Sequence, residues 1–186
     1  GPGGLSAANM LRHLGLPCIL YEQNETTSFH PRGHVVNTRT MEIFRALGVA
    51  GDVDAVSLPL ERHAGIGFVT SLAGDQIGVI ETRANPEWAR IERQQSPVFK
   101  RSCPQDVLEP VLRTHAEARD RVTTRFGHRI TGLDQDDSGV TLSWETTGGA
   151  TGRTRAKYLI AADGPRSFAR ARTGIGMQGR SIGQQI

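Results

Sequence analysis

Cysteine is scarce in this 186-residue chain: only Cys18 and Cys103 occur. They lie far apart, with no C-x-x-C or Cys/His pairing, which excludes a zinc finger or ribbon and a disulfide framework. A reducing, cytoplasmic setting fits that usage. No apolar run approaches the roughly 20 residues needed to span a bilayer, and the first residues lack the basic region and long apolar stretch of a signal peptide. No membrane role is therefore expected. The net charge is +3 and the pI near 9.3, but Lys and Arg are scattered rather than gathered into a stripe, so no nucleic-acid partner is expected. There is no internal repeat, no metal-ligand spacing and no nucleophile, base and acid set. With 37% hydrophobic and 22% charged residues, the chain reads as an ordinary soluble domain, with a second at most begun.

What is present starts at residue 1. "GPGGLSAANMLRHLGLPCILYEQN" places Gly1 and Gly4 at the spacing of the last two glycines of G-x-G-x-x-G. That fingerprint follows a buried strand and opens a helix whose N-terminus faces a pyrophosphate, so a first strand is expected to precede the sequence given, which reads as a fragment. Helical spacing covers 5–14, stopped by Gly15 and Pro17. "CILYEQN" reads as a buried strand opening into a loop, with Glu22 about where a ribose hydroxyl partner stands. "TTSFHPRGHVVN" reads as a loop with an extended tail, and "TRTMEIFRALGV" as an amphipathic helix ended by Gly48. Residues 62–82 read as strands broken by glycines. "CPQDVLEPVLRTHAEAR" predicts a helix with Pro104 in its first turn and Val107, Leu108, Val111, Leu112 and His115 on one face. "RVTTRFGHRITGLDQDDSGVTLSWET" alternates as a β-meander turning at "DDSG". "KYLIAADG" reads as a buried strand ending in a polar turn, and the Gly-rich end from 174 belongs to no complete element.

Two constellations could carry chemistry. Glu22 can accept from ribose hydroxyls or be an ordinary strand-end charge. In "YLIAADGPRSFAR", Asp163 can accept from a sugar hydroxyl, Gly164 lets a ligand approach the backbone, and Arg166 and Arg170 offer planar cationic donors. Equally, Asp-Gly can be a simple turn with arginines facing solvent.

Four segments, "GPGGLSAANMLRHLGLPCILYEQ", "PRGHVVNTRTMEIFRALG", "RSCPQDVLEPVL" and "YLIAADGPRSFAR", occur in the order seen in FAD-dependent aromatic hydroxylases. The chain resembles this family of single-component flavoprotein monooxygenases, which includes p-hydroxybenzoate and phenol hydroxylases, and the second segment particularly resembles chlorophenol hydroxylases. The resemblance implies an α/β, Rossmann-like FAD-binding domain with a β-meander and the beginning of a β-rich substrate domain, its first strand and C-terminal half missing. The implied division is FAD-binding residues 1–61 and 101–174, a substrate-domain excursion over 62–100, and a further segment begun at 175–186.

The implied reaction is NAD(P)H-dependent hydroxylation of a phenolic ring by oxygen through a flavin C4a-hydroperoxide, with the fragment alone inactive. By the same resemblance Gly1 and Gly4 lie near the FAD diphosphate, Glu22 binds the adenosine ribose, and Arg32 approaches the pyrophosphate. Arg101 and Gln105 match the Arg and Gln of the helix along the cofactor. Asp163 and Gly164 match the Asp-Gly motif implicated in FAD and NAD(P)H binding, with Ala161 where that motif often has glycine. His34 falls between flavin and substrate, where an imidazole could take or orient a phenol proton; a histidine bonded to loop backbone is the competing reading. Partners expected are a small phenolic substrate and oxygen, and a homo-oligomer is compatible. The other readings are a non-catalytic nucleotide-binding fragment and an NAD-binding Rossmann dehydrogenase.

Overall fold

Pro2 starts the first helix, α1 (Pro2–His13), earlier than the apolar spacing over 5–14 predicts, because its fixed φ suits the first helical position and its missing N–H is one that a helix start leaves unbonded anyway. The structure, a computed structural model, describes residues 1–59, 65–80, 86–118 and 120–179. After α1 come β1 (Cys18–Tyr21), β2 (Val35–Val36), α2 (Thr38–Ala46), α3 (Ala50–Val56), β3 (Ile66–Val69), β4 (Gln76–Ile80) and α4 (Pro86–Gln95). The second half contains β5 (Arg101–Ser102), α5 (Gln105–Glu117), β6 (Val122–Arg125), β7 (His128–Asp136), β8 (Gly139–Thr146), β9 (Thr151–Ala156) and α6 (Phe168–Arg172).

The main core forms where α1, α2, α3 and α5 converge. Leu5, Met41, Phe44, Val49, Val53, Cys103 and Leu112 are all buried there. Burial pushes the Cys103 thiol above its ordinary pKa, with the negative charge of Asp106 adding to the shift and a bond to Ser57 opposing it; burial raises Cys18 likewise. Asn9, fully buried on α1, donates its amide to the carbonyls of Leu5 at 2.9 Å and Leu112 at 2.8 Å, so one side chain bridges α1 to α5. Asn37 caps α2 by accepting from the Thr40 N–H at 2.8 Å. Gly48, at φ +76°, turns the chain out of α2 in the left-handed conformation that glycine adopts without a Cβ clash. It leads into α3, a helix the periodicity does not reveal.

Pairing departs from the sequence reading in two places. First, β6 is not part of the meander but pairs in parallel with β1, Cys18 opposite Val122 and Tyr21 opposite Arg125. The meander is β7-β8-β9, all antiparallel, turning at 136–139 as expected. Second, residues 157–164 form no strand and are exposed. A strand exists through its ladder, and among the described residues no segment pairs with this one. The expected strands over 62–82 are the β3–β4 hairpin where described; residues 62–64 and 81–82 lie outside the described residues. Over 62–100 the helix α4 is an addition to the sequence reading. Among the described residues no helix is long and apolar enough to cross a membrane.

The meander docks on the rest through aromatic and hydroxyl contacts. The Thr154 hydroxyl on β9 shares a 2.5 Å hydrogen bond with Tyr21 of β1 and accepts from Trp144 Nε1 at 3.1 Å. The Trp144 indole lies across its register partner Gly152, where a Cβ would sit 2.3 Å from Cζ2. Phe168 of α6 packs on Leu133, Val140 and Leu142, the cluster that Tyr21 also packs against. The Ser167 hydroxyl caps α6 by accepting from the Arg170 N–H at 2.9 Å. Asp163 completes that cap, accepting from the Ser167 hydroxyl at 2.5 Å and the Ala169 N–H at 3.0 Å.

Two outcomes follow from these contacts. Gly152→Ala should destabilise the fold by about 1–3 kcal/mol, because the indole must leave its place and lose its packing; urea denaturation measures the loss, and the Trp fluorescence of the folded variant should shift. Burial raises the Asp163 carboxyl, but bonds from Ser167 and the α6 backbone outweigh it and hold the group below the ordinary carboxylate range. Its contribution should thus be intact above the unfolded value of about 3.9 and disappear as pH falls through the lower folded value. Amide exchange across 167–172 at stepped pH tests this, with Asp163→Asn flat across that window.

Candidate functional site

The first turn of α1 is open. Its N-cap is Gly1, with no side-chain cap and no acidic residue in the turn, and a Cβ on Gly1 or Gly3 would meet nothing within 4 Å. Amides at such a helix start, with the positive end of the helix dipole behind them, suit an anion. Gly4 is closer to its surroundings: a Cβ there would lie 3.5 Å from the Ala162 Cβ and 3.9 Å from Leu20. The segment bearing Asp163 and Gly164 therefore runs against the same turn. Glu22 extends β1 through backbone bonds to Arg125 and His128, which carries its carboxylate to α1. Its Oε2 lies 3.3 Å from the Gly1 nitrogen, and its Oε1 accepts from the Asn24 N–H at 3.0 Å and the Asn24 amide at 2.7 Å. The structure sets Glu22 beside the first turn of α1.

A second group of candidates meets along a backbone seam. β2 pairs antiparallel with β5, Val35 opposite Ser102 and Val36 opposite Arg101. The Cys103 N–H then donates to the His34 carbonyl at 2.7 Å, and the Gln105 N–H to the Arg32 carbonyl at 3.2 Å. These bonds fix the 24–34 loop to the start of α5 and set Arg32, His34 and Gln105 side by side. Arg32 and His34 are exposed, and among the described residues neither side chain has a protein partner. The bond from His34 to loop backbone that the competing reading supposed is absent among the described residues.

Arg101 requires a correction. It lies in β5, before the helix rather than on it, because Cys103, directly before Pro104, is steered to extended backbone, and α5 begins only at Gln105 with Pro104 as its N-cap. Its guanidinium is occupied: Nε and Nη2 meet the Asp54 carboxylate at 2.6 and 3.0 Å, and Nη1 donates to the carbonyls of Phe99 and Lys100 at 3.1 Å each. Arg101 braces the seam against α3.

Asp163 and Gly164 sit on the wall of a groove of about 780 Å³ between the β7–β8 turn and the 157–175 segment, shared with Leu133, Tyr158 and Arg170. Both Asp163 oxygens serve the α6 cap, while Gly164 takes φ +75°. Arg170 donates back to the Pro165 carbonyl at 2.8 Å, closing the loop on itself.

The sequence reading missed Glu109. It is 2% exposed and accepts from the Ser28 N–H at 2.8 Å and from Gln105 Nε2 at 2.5 Å. The available signal was a Gln and a Glu four apart on one helix, a spacing at which side chains meet.

Comparison with known proteins agrees with this geometry. Residues 1–184 match the model of the FAD binding domain family. The 2,4-dichlorophenol 6-monooxygenase of Delftia acidovorans is 34% identical over 190 residues, covering 97% of this chain and 31% of that protein. The phenol 2-monooxygenase of Pseudomonas sp. (strain EST1001) is 36% identical over 186 residues, covering 95% and 29%. The crystal structure of the flavin-dependent monooxygenase PieE in complex with FAD and substrate superposes with a TM-score of 0.90 at 36% identity, over 97% of this chain and 31% of that one. The chain thus spans about a third of the length of the relatives it matches. An open glycine turn beside a strand-end acid, a loop arginine fixed to the helix that carries Gln105, and a family model covering residues 1–184 place this chain in the FAD binding domain family.

Proposed function

We propose that the protein containing this chain is an NAD(P)H-dependent FAD monooxygenase that hydroxylates a phenolic ring, and that these residues form much of its FAD site. Two unsatisfied features carry the reading: a helix start with no side-chain cap and room at Gly3, and the exposed guanidinium of Arg32. Both are complementary to a pyrophosphate, whose charge a helix dipole and a planar cation neutralise together. Glu22, held by Asn24, keeps acceptor capacity for the hydroxyls of an adenosine ribose. These residues fit FAD. A plain dehydrogenase needs the glycines and Glu22 but gives no use to the Arg32 and Gln105 seam, and a binding module alone gives no use to an exposed His34.

The bound flavin would supply the redox chemistry, accepting hydride from NAD(P)H and activating oxygen. One oxygen atom goes to the ring and the other leaves as water, with NAD(P)H providing both electrons. The chain's own residues bind and orient. Gly1, Gly4 and Arg32 hold the diphosphate, Glu22 the ribose, and Gln105 the middle of the cofactor. Asp163 acts through the α6 cap, keeping Gly164 and the adjoining backbone against α1, while Arg101 keeps β5 in register. His34 exposes an imidazole that can take a phenol proton or hold the phenolate near the flavin. The division into 1–61, 62–100, 101–174 and 175–186 stands as part of this proposal, as does a cytoplasmic location.

The full-length protein should purify yellow, oxidise NAD(P)H faster when a phenol is present, and convert that phenol to a catechol detectable by mass spectrometry. Colourless protein that gains no flavin from excess FAD would refute the reading. Glu22→Gln, keeping shape but losing charge, should weaken FAD binding by about 1–3 kcal/mol through its charge-assisted hydrogen bonds; flavin fluorescence titration measures this. His34→Asn should lower hydroxylation more than FAD affinity and alter the acidic limb of the pH–rate profile. An unchanged rate and profile would remove His34 from the chemistry.

A further inference from the structure

Glu109 is a carboxylate buried in the hydrophobic side of α5, next to Leu108 and near Leu112, with 2% of its surface exposed. Among the described residues it meets no cation. Burying an unpaired carboxylate is unfavourable unless fixed donors replace its water, and here there are two. One oxygen, Oε2, accepts from the Ser28 backbone N–H at 2.8 Å, and Oε1 accepts from the Gln105 side-chain amide at 2.5 Å. Both partners are donors, so the group between them must accept on both sides. A glutamine at this place would turn an NH2 toward one of them, and a leucine would leave both unsatisfied.

Each contact has a consequence outside the core. Ser28 belongs to the loop that carries Arg32 and His34, whose far end is held by the Gln105 N–H at the start of α5 and the Cys103 N–H just before it, through the carbonyls of Arg32 and His34. The bond to Glu109 fixes the near end. The contact to Gln105 decides which way that amide faces: its NH2 must point at the carboxylate, so its Oε1 points away, where among the described residues no donor meets it. Gln105 is thereby presented as a hydrogen-bond acceptor.

We propose that Glu109 is the positioning residue of this site: it clamps the Arg32 and His34 loop through the Ser28 amide and turns the Gln105 carbonyl outward to accept from a hydroxyl of the bound FAD. The proposal rests on the FAD reading above. It makes Gln105 specific for a donor on the ligand, and it gives a use to an acid on the apolar face of a helix.

The test uses the full-length protein and two near-isosteric variants, Glu109→Gln and Gln105→Met. Amide exchange is measured without flavin, and FAD affinity by fluorescence titration. For Glu109→Gln, exchange across residues 24–34 should accelerate roughly tenfold and the FAD Kd rise by roughly the same factor, the scale of one charge-assisted hydrogen bond. Protection around Leu112 and Leu5 should stay at the wild-type level. Gln105→Met should raise the Kd while leaving loop exchange unchanged, since the Ser28 bond survives. The double variant should be weaker than Gln105→Met by less than the Glu109→Gln factor, because the two share one interaction. An unmoved Kd and loop in Glu109→Gln would overturn the proposal, as would loosening of α1 and α5 equal to that of the loop, which is the behaviour of a purely structural group. If Glu109→Gln does not fold, Gln105→Met decides: a raised Kd supports the outward carbonyl, and an unchanged one overturns it. A wild-type protein that binds no flavin overturns this proposal together with the reading it rests on, whereas flavin binding that ignores both substitutions overturns this proposal alone.

Discussion

Contact between α1 and α5 is the constraint on which the rest depends. Leu5 and Leu112 close it with apolar surface, and Asn9 ties the helices by donating to a carbonyl on each. A bridge of two short bonds in a dry setting fixes rotation as well as distance, which apolar packing alone does weakly. Everything proposed for ligand binding hangs from one helix or the other. The open glycine turn is the first turn of α1, and Gln105 and Glu109 occupy the first turns of α5. With the helices tied, the open turn of α1 and the seam at the start of α5 stay in one fixed relation, which spares a bound ligand the cost of ordering them.

The seam adds a second layer of order. A two-residue ladder such as β2–β5 is too short to be stable by itself. It persists because it continues into backbone bonds at Cys103 and Gln105 and ends on a buried carboxylate. Side chains left free on the outer face, Arg32 and His34, are therefore carried by backbone whose own polar groups are used. Preorganisation of this kind leaves little entropy to lose when a ligand arrives.

Legibility in the sequence followed the range of the interaction. Features fixed by neighbours were readable: the glycine spacing and Glu22 at the strand end, the stop of α2 at Gly48, a helix opening around Pro104, and the turn at 136–139. Strand pairing was not, because β6 alternates equally well whether its partner is β1 in parallel or β7 in a hairpin, and the parallel arrangement goes with packing of Ala8 of α1 and Ala116 of α5 on Val122 and Cys18. The apolar run at 157–164 looks like a strand in any window, yet a ladder requires a partner that no local pattern names. Arg101 stands outside α5 because Pro104, legible in the sequence, disfavours helix at Cys103 and so keeps the helix from reaching back to it. Glu109 was hidden since its partner Ser28 lies 81 residues away. A helical wheel shows an acid among leucines without showing what it holds.

One consequence attaches to the two cysteines. Cys103 stands at the seam itself, its N–H bonded to the loop and its thiol buried, and Cys18 lies half-buried at the start of β1. Burial keeps both protonated at neutral pH, and a thiol reacts with peroxide as its anion. A fold proposed to handle activated oxygen thus has its most oxidisable side chains in the one chemical form that oxidants attack slowly. Sulfenic acid formation at Cys103 would first require opening of the core, so damage there would record unfolding rather than turnover.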